Sequence, residues 1–206
     1  MARLTREESR VRTRERVIAA AAEVFVQKGF HGASLEEIAE AAGYSRGAVY
    51  SNFDDKTELF LAVRDERMLR RRRQIGDLLG AAATPADFFA ALRTLNQLEP
   101  RENVQKWYML HLELWLYAMR NPDVRPLLAE RESANRAALA KAIEALYASL
   151  GVKPPVPANE LAIIADALDR GLLHQEFLDP AAVPPDFIIQ ALQFLIDAGV
   201  ALAKAP

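Results

Sequence analysis

In the stretch Ser34-Leu-Glu-Glu-Ile-Ala-Glu-Ala-Ala-Gly43-Tyr-Ser45-Arg-Gly-Ala-Val-Tyr50-Ser-Asn-Phe53, one side chain has the shape to read a base pair. Arg46 carries a planar fork of N–H donors that matches O6 and N7 of guanine, the pairing that marks G·C in the major groove. Ser34, Tyr44, Tyr50, Ser51 and, just beyond the stretch, Lys56 offer hydroxyls and an ammonium. Such groups bind phosphate oxygens and so position a protein on the duplex without reading its sequence. Gly47 and Ala48 are small enough to let the backbone approach closely, Ser45 is a further candidate DNA contact beside them, and Asn52 is near enough to the same face to bear on base preference.

These groups need two short helices and a tight turn to hold them. Ser34 caps the first helix, and Glu37 three residues later completes a capping box. Leu35, Ile38, Ala39 and Ala42 share one apolar face at helical spacing. Gly43 ends that helix, because the residue past the last turn takes a positive φ. Ser45 caps the second helix. Ala48, Val49 and Phe53 point inward, which leaves Arg46, Gly47, Tyr50, Ser51 and Asn52 outside. That outer face is short and polar, as a helix entering a major groove must be.

The residues Gly29-Phe30-x-x-Ala33-Ser34, Ile38-Ala39, Ala42-Gly43-Tyr44-Ser45-Arg46-Gly47-Ala48-Val49-Tyr50 and Phe53-x-x-Lys56-x-Glu58-Leu59-Phe60 resemble the DNA-binding domain of TetR-family transcriptional regulators. The resemblance runs without gaps from about Arg12 to Arg72. Asn52 stands where the family often has His, and Tyr44 where it often has Val. The resemblance implies an all-α fold: an N-terminal three-helix helix-turn-helix domain, a connecting helix, and a C-terminal helical domain that binds an effector and dimerises. It places residues 12–72 in the DNA-binding domain, with the motif at 34–53, and residues 74–206 in the effector and dimerisation domain. It also implies that Lys56 meets a DNA phosphate.

Charge distribution agrees with that division. The net charge of −2 hides a +3 balance over residues 1–73 and a −5 balance over residues 74–206, so the basic half is the half that would meet phosphate. Half of the residues are hydrophobic and there is no Cys, which removes disulfides, thiolate metal sites and thiol catalysis together. No nucleotide-binding Gly loop, metal-ligand cluster or Gly-x-Ser-x-Gly nucleophile is present. The chain is therefore expected not to be an enzyme and to need neither cofactor nor metal. The N-terminus is basic rather than apolar, and no apolar run reaches the roughly 18 residues of a membrane span. A cytoplasmic protein without membrane contact is the expectation.

The remaining helices follow from periodicity. A first helix over about Arg12–Lys28 ends at Gly29, with polar residues 1–10 frayed before it. Arg12 and Arg14, near its start, serve either phosphate contact or solubility. A fourth helix begins after Asp54 or Asp55 and ends in the arginines at 70–73. Gly76, Gly80 and an Ala run then break the chain. Further helices are expected from Thr84 or Pro85 to Glu99, over 102–120, over 123–150 with a bend near Pro126, and over 158–178 and 185–203.

The second half carries two candidate surfaces. In helix 102–120, Trp107, Tyr108, His111 and Trp115 recur at spacings of one, three and four. Aromatic walls with a few polar handles line small-molecule sites, and ordinary core gives the same pattern. With Phe88, Phe89 and Leu92 before them and His174 and Phe177 after, they make the candidate pocket for a largely apolar or aromatic effector. Glu113 faces away from His111, so the pair is not a metal site. The last helix is apolar on most of its circumference and so buried on most of it. Leu161, Ile164, Leu168 and Leu172, with Ile188, Leu192 and Leu195, are the candidate faces of a four-helix homodimer interface. Such a dimer spaces two recognition helices about 34–36 Å apart on a pseudo-palindromic operator in double-stranded DNA. The resemblance implies a repressor released when effector binding selects an arrangement with badly spaced recognition helices; an activator of the same family is the first alternative, and a helical adaptor or an enzyme using the aromatic cleft are the others.

Overall fold

The computed structural model describes residues 5–184 and 186–204. Among these, nine helices form in chain order: α1 (Arg6–Gly32), α2 (Leu35–Ala42), α3 (Arg46–Tyr50), α4 (Lys56–Ala81), α5 (Pro85–Leu98), α6 (Arg101–Arg120), α7 (Val124–Ser149), α8 (Ala158–Leu178) and α9 (Phe187–Lys204). No strand occurs among the described residues. The fold is all-α, as the periodicity requires.

Two helices run further than expected. α1 starts at Arg6 because Thr5 caps it: the Glu8 N–H donates to Thr5 Oγ1 at 3.2 Å, and the Thr5 N–H donates to Glu8 Oε2 at 2.7 Å. The expectation of a frayed start therefore fails from Thr5 onward, while Arg3 lies outside the described residues. Gly29 still ends the regular helix, with φ +73. α4 continues through Gly76 and Gly80 to Ala81. Each Gly costs about 1 kcal/mol relative to Ala in a helix. Ile75, Leu78 and Leu79 pack, partly buried, against a core on the same stretch, and each gains part of the ~1.5–3 kcal/mol that full burial of such a side chain returns. Packing therefore outweighs propensity there.

The chain divides into two compact units. One comprises the described residues up to Leu69 together with Val104–Leu128; the other comprises Arg70–Asn103 and the described residues from Ala129 onward. In the first unit, Val17, Ala21 and Phe25 of α1, Ile38 of α2, Val49 of α3, Phe53, and Leu59 to Val63 of α4 close a core that also takes Leu110, Leu114 and Ala118 of α6. α6 thus belongs mostly with the helix-turn-helix helices by packing. In the second unit, Phe88, Phe89 and Leu92 of α5, Ile143 and Tyr147 of α7, Leu161 of α8, and Ile188, Ile189 and Ile196 of α9 form the other core. Gly199 leaves room for the hydroxyl of Tyr147 against α9.

α9 corrects one expectation. Its 18 residues have a mean hydropathy of 1.5, so by length and composition they could cross a membrane. Ile188, Ile189, Ile196 and Gly199 are buried in the chain itself, so part of that apolar character serves the chain's own core, while Phe187, Phe194 and Leu202 stay exposed.

Candidate nucleic-acid interface and effector region

The helix-turn-helix caps form as the sequence specifies. The Glu37 N–H donates to Ser34 Oγ at 3.2 Å, and the Ser34 N–H donates to Glu37 Oε2 at 3.1 Å. Hydrogen bonds from Lys28 first, then from Ser34, hold the Glu37 carboxyl below its ordinary range. Gly43 takes φ +73 and closes α2. Ser45 Oγ accepts from the Ala48 N–H at 3.3 Å and starts α3. Ser34 and Ser45, two candidate DNA contacts, are thus also the caps that set the angle of α3.

α3 presents Ser45, Arg46, Gly47, Tyr50 and Ser51 exposed, with Val49 fully buried beneath. The Arg46 guanidinium is ion-paired with Glu36 of α2. Surface pairs of this kind contribute ~0–1 kcal/mol, so Glu36 holds the guanidinium only weakly. Tyr44 is half-buried on the α1 side, where Thr13 and then Arg16 hydrogen-bond its phenol and lower its pKa. Arg12 is exposed, and the Arg14 guanidinium lies 4.9 Å from the Phe53 ring centroid.

Two residues sit differently from the sequence reading. Asn52, expected outside, is half-buried and folds back on α3: its Nδ2 donates to the Ala48 carbonyl at 2.8 Å, and its Oδ1 is buried without a partner. The chain leaves α3 here and turns inward to bury Phe53, and Asn52 follows it. Lys56 does not extend freely into solvent. Its Nζ donates to the carbonyl of Ala33 at 3.0 Å and lies 4.7 Å from the Phe30 ring centroid. Asp55 caps α4 as expected, accepting from the Glu58 N–H at 2.7 Å, while Glu58 reaches back to the N–H of Asp54 rather than Asp55.

The candidate effector residues divide between the units. Phe88, Phe89 and Leu92 are buried together in the core of the second unit. In the first unit, α6 buries Leu110, Leu114 and Ala118. Trp107 packs against that core beneath the Arg67 guanidinium, 4.4 Å from its ring. Tyr108 and His111 are half-buried, and Trp115 is 46% exposed, near exposed Leu116 and Met119. The aromatic stripe therefore runs along the flank of α6, not down its buried face. In the second unit, His174 is exposed and Phe177 lies 5.5 Å beneath the Arg101 guanidinium.

A charged network in the second unit was not anticipated. Arg101 of α6 pairs with buried Glu176 of α8. Arg170 donates to Glu132 of α7 at 2.7 Å and pairs with Asp166 at 3.0 Å. Only Asp166–Arg170 has a local signal, its i,i+4 spacing; the other partners are far apart in sequence. Asp169 beside them is pushed up to about 6, by burial first and then by the Asp166 charge, while Arg71, Arg170 and Arg101 pull it down. A carboxyl raised on folding favours the folded state most at pH below its unfolded value near 4. That advantage is lost as pH rises through about 6. Asp169→Asn should therefore stabilise the protein at pH 8, on the order of 1–3 kcal/mol, and the gain should shrink toward pH 4. Thermal melts of both proteins across that range measure it.

The candidate interface residues also separate. Leu161 and Ile188 are buried in the chain's own core, and Leu168, Leu172 and Leu192 pack against it. Leu195 is half-buried, and only Ile164 of the expected set is exposed, at 47%. The outward apolar residues are Ile163, Ile164 and Leu178 on α8 and Phe187, Phe194 and Leu202 on α9. Leu161, Leu168, Leu172, Ile188 and Leu192 thus face the chain's own core and hold α8 and α9 to the rest of their unit.

Two family profiles match this chain: the tetR family of bacterial regulatory proteins over residues 17–63, and the BetI-type transcriptional repressor C-terminal domain over residues 90–201. The second alone spans more than half of the sequence. The chain belongs to the TetR family. The HTH-type transcriptional regulator TtgW of Pseudomonas putida is 51% identical over 63 residues, covering 31% of this chain and 46% of that protein. The HTH-type transcriptional activator FasR of Mycolicibacterium smegmatis is 46% identical over 61 residues, 30% of this chain and 26% of FasR. These matches thus span less than half the length of either curated relative. A transcriptional regulator from Rhodococcus sp. superposes with a TM-score of 0.66 at 25% identity, over 94% of this chain and 98% of that one. TetR-family membership makes this a regulatory protein rather than an enzyme.

Proposed function

We propose that this TetR-family chain is a homodimeric repressor that binds a pseudo-palindromic operator in double-stranded DNA and is released by a small-molecule effector. The observation that carries the reading is the exposed Ser45–Ser51 surface of α3, capped at a fixed angle on a buried base and presenting the Arg46 fork outward. Residues 12–72 act as the DNA-binding part and residues 74–206 as the effector and dimerisation part, in the cytoplasm. Arg46 reads a base, and Tyr44, Tyr50, Ser51, Ser34 and Lys56 bind or steady the backbone. The dimer forms through the outward stripes of α8 and α9. The aromatic flank of α6 supports an effector that is largely apolar or aromatic. The FasR match keeps an activator as the second reading.

A mobility shift on duplex DNA from upstream of the chain's own gene tests this: a retarded band that unlabelled random DNA fails to displace is expected, and its absence at micromolar protein contradicts the reading. Lys56→Ala should weaken binding to all sequences alike and reduce the slope of log affinity against log salt by about one. Binding isotherms at several salt concentrations measure both. An unchanged slope would leave Lys56 as a brace for the Phe30–Ala33 corner alone.

A further inference from the structure

The corner between α1 and α2 holds a contact that a helix-turn-helix motif does not require. Gly29 breaks the regular helix at φ +73, and a backbone N–H displaced from a helix must find another acceptor. Here the acceptor comes from α6: the Phe30 N–H donates to Glu113 Oε2 at 2.7 Å, across 83 positions of sequence. The carboxylate fills the space beside Gly29, where a Cβ would stand 2.7 Å from Oε1 and 3.0 Å from Oε2. Glycine is needed here for its φ, and the carboxylate occupies the space a Cβ would take.

One turn further along α6, Tyr117 holds the side chain of the same residue, its ring centroid 5.0 Å from that of Phe30. Phe30 stacks on Phe60 of α4 at 4.8 Å and lies beneath the Lys56 ammonium. Lys56 in turn holds the carbonyl of Ala33, immediately before the cap of α2. α6 thus grips, through one residue, the first turns of both α2 and α4.

We propose that Glu113 is a positioning residue for DNA recognition, a clasp that fixes the helix-turn-helix on α6 in one orientation. The proposal rests on the DNA-binding reading. A carboxylate accepting a backbone N–H makes one of the stronger hydrogen bonds. Val104–Leu128 runs on at both ends into the second unit, so the clasp ties the recognition helix to the chain that carries the dimer surface. Loss of the bond should leave the core of Phe25, Ile38 and Leu59 in place and loosen the angle of α3. A loosened angle tolerates operators whose half-sites are wrongly spaced, which a purely structural role would not produce.

The test uses the full chain and three variants: Glu113→Ala, Glu113→Gln, which keeps an acceptor, and Glu113→Asp, which keeps the charge one methylene short. The readouts are amide exchange at Phe30 and affinity for the duplex that the wild type selects from a random pool, with and without one base pair inserted between its half-sites. The wild type is expected to lose about tenfold or more on the inserted duplex. Glu113→Ala and Glu113→Asp should exchange the Phe30 amide about tenfold faster and lose most of that discrimination, while Glu113→Gln, whose neutral acceptor makes a weaker bond, falls between them and the wild type. Should Glu113→Ala fail to fold, Glu113→Asp decides in its place. Variants that match the wild type in exchange and in discrimination overturn the clasp alone. A wild type that selects no duplex overturns the function beneath it, and the clasp's role in recognition with it.

Discussion

Ile164→Glu combined with Phe194→Glu is expected to convert the protein to single chains and to weaken operator binding by about a hundredfold to ten-thousandfold. Phe194 is 75% exposed and Ile164 is 47% exposed, on neighbouring helices of the same unit. Large apolar side chains left outward on both helices are the surface that a second copy would cover, and a carboxylate there must be desolvated without a partner. Each protomer alone reaches one half-site, so the linked second contact disappears with the dimer. The fold should survive, because neither residue belongs to the buried core. Leu161→Glu serves as the contrast: Leu161 is 5% exposed, so charge there should unfold the unit rather than split a dimer. Sedimentation, circular dichroism and binding isotherms separate the two outcomes. A double variant that remains dimeric would move the interface off α8 and α9.

Arg46→Ala should cost about 1–3 kcal/mol on the operator and relax base preference at one position of each half-site. Its side chain is 65% exposed and paired with Glu36 on the surface, so truncation removes no buried contact and the melting temperature should hardly move. Removing the competitor works in the opposite direction. Glu36→Gln frees the guanidinium and removes a negative charge close to the DNA-facing side, so affinity should rise modestly on every sequence. Equal loss on operator and random duplex in Arg46→Ala would reject base reading and leave Arg46 as a phosphate contact.

Local chemistry was legible in the sequence wherever a few neighbouring residues decide the outcome. Ser34 with Glu37, Gly43, Ser45 and Asp55 act within one turn, and their caps and stops formed as spacing implies. The Thr5–Glu8 box follows the same rule, within a segment whose dense charge also suits solvation. α4 was harder, because Gly76 and Gly80 speak for a break locally while Ile75, Leu78 and Leu79 speak through a core assembled from distant segments. On α6 the aromatic side chains form one stripe, and aromatic content alone does not say which face is buried. The plainer series Leu110, Leu114 and Ala118 was the buried face. Likewise, periodicity on α8 and α9 identifies apolar stripes without saying which faces the chain and which faces a partner. Contacts such as Phe30 with Glu113, or Arg101 with Glu176, join residues far apart in sequence and carry no local signal at all.

Hydroxyl-radical footprinting of the duplex selected by the purified protein tests the central claim most directly. The account predicts two symmetric protected patches centred about one helical turn apart, with two chains bound per duplex, and loss of both patches in the Ile164→Glu/Phe194→Glu variant. A single patch bound by one chain, or protection indifferent to sequence, would contradict it.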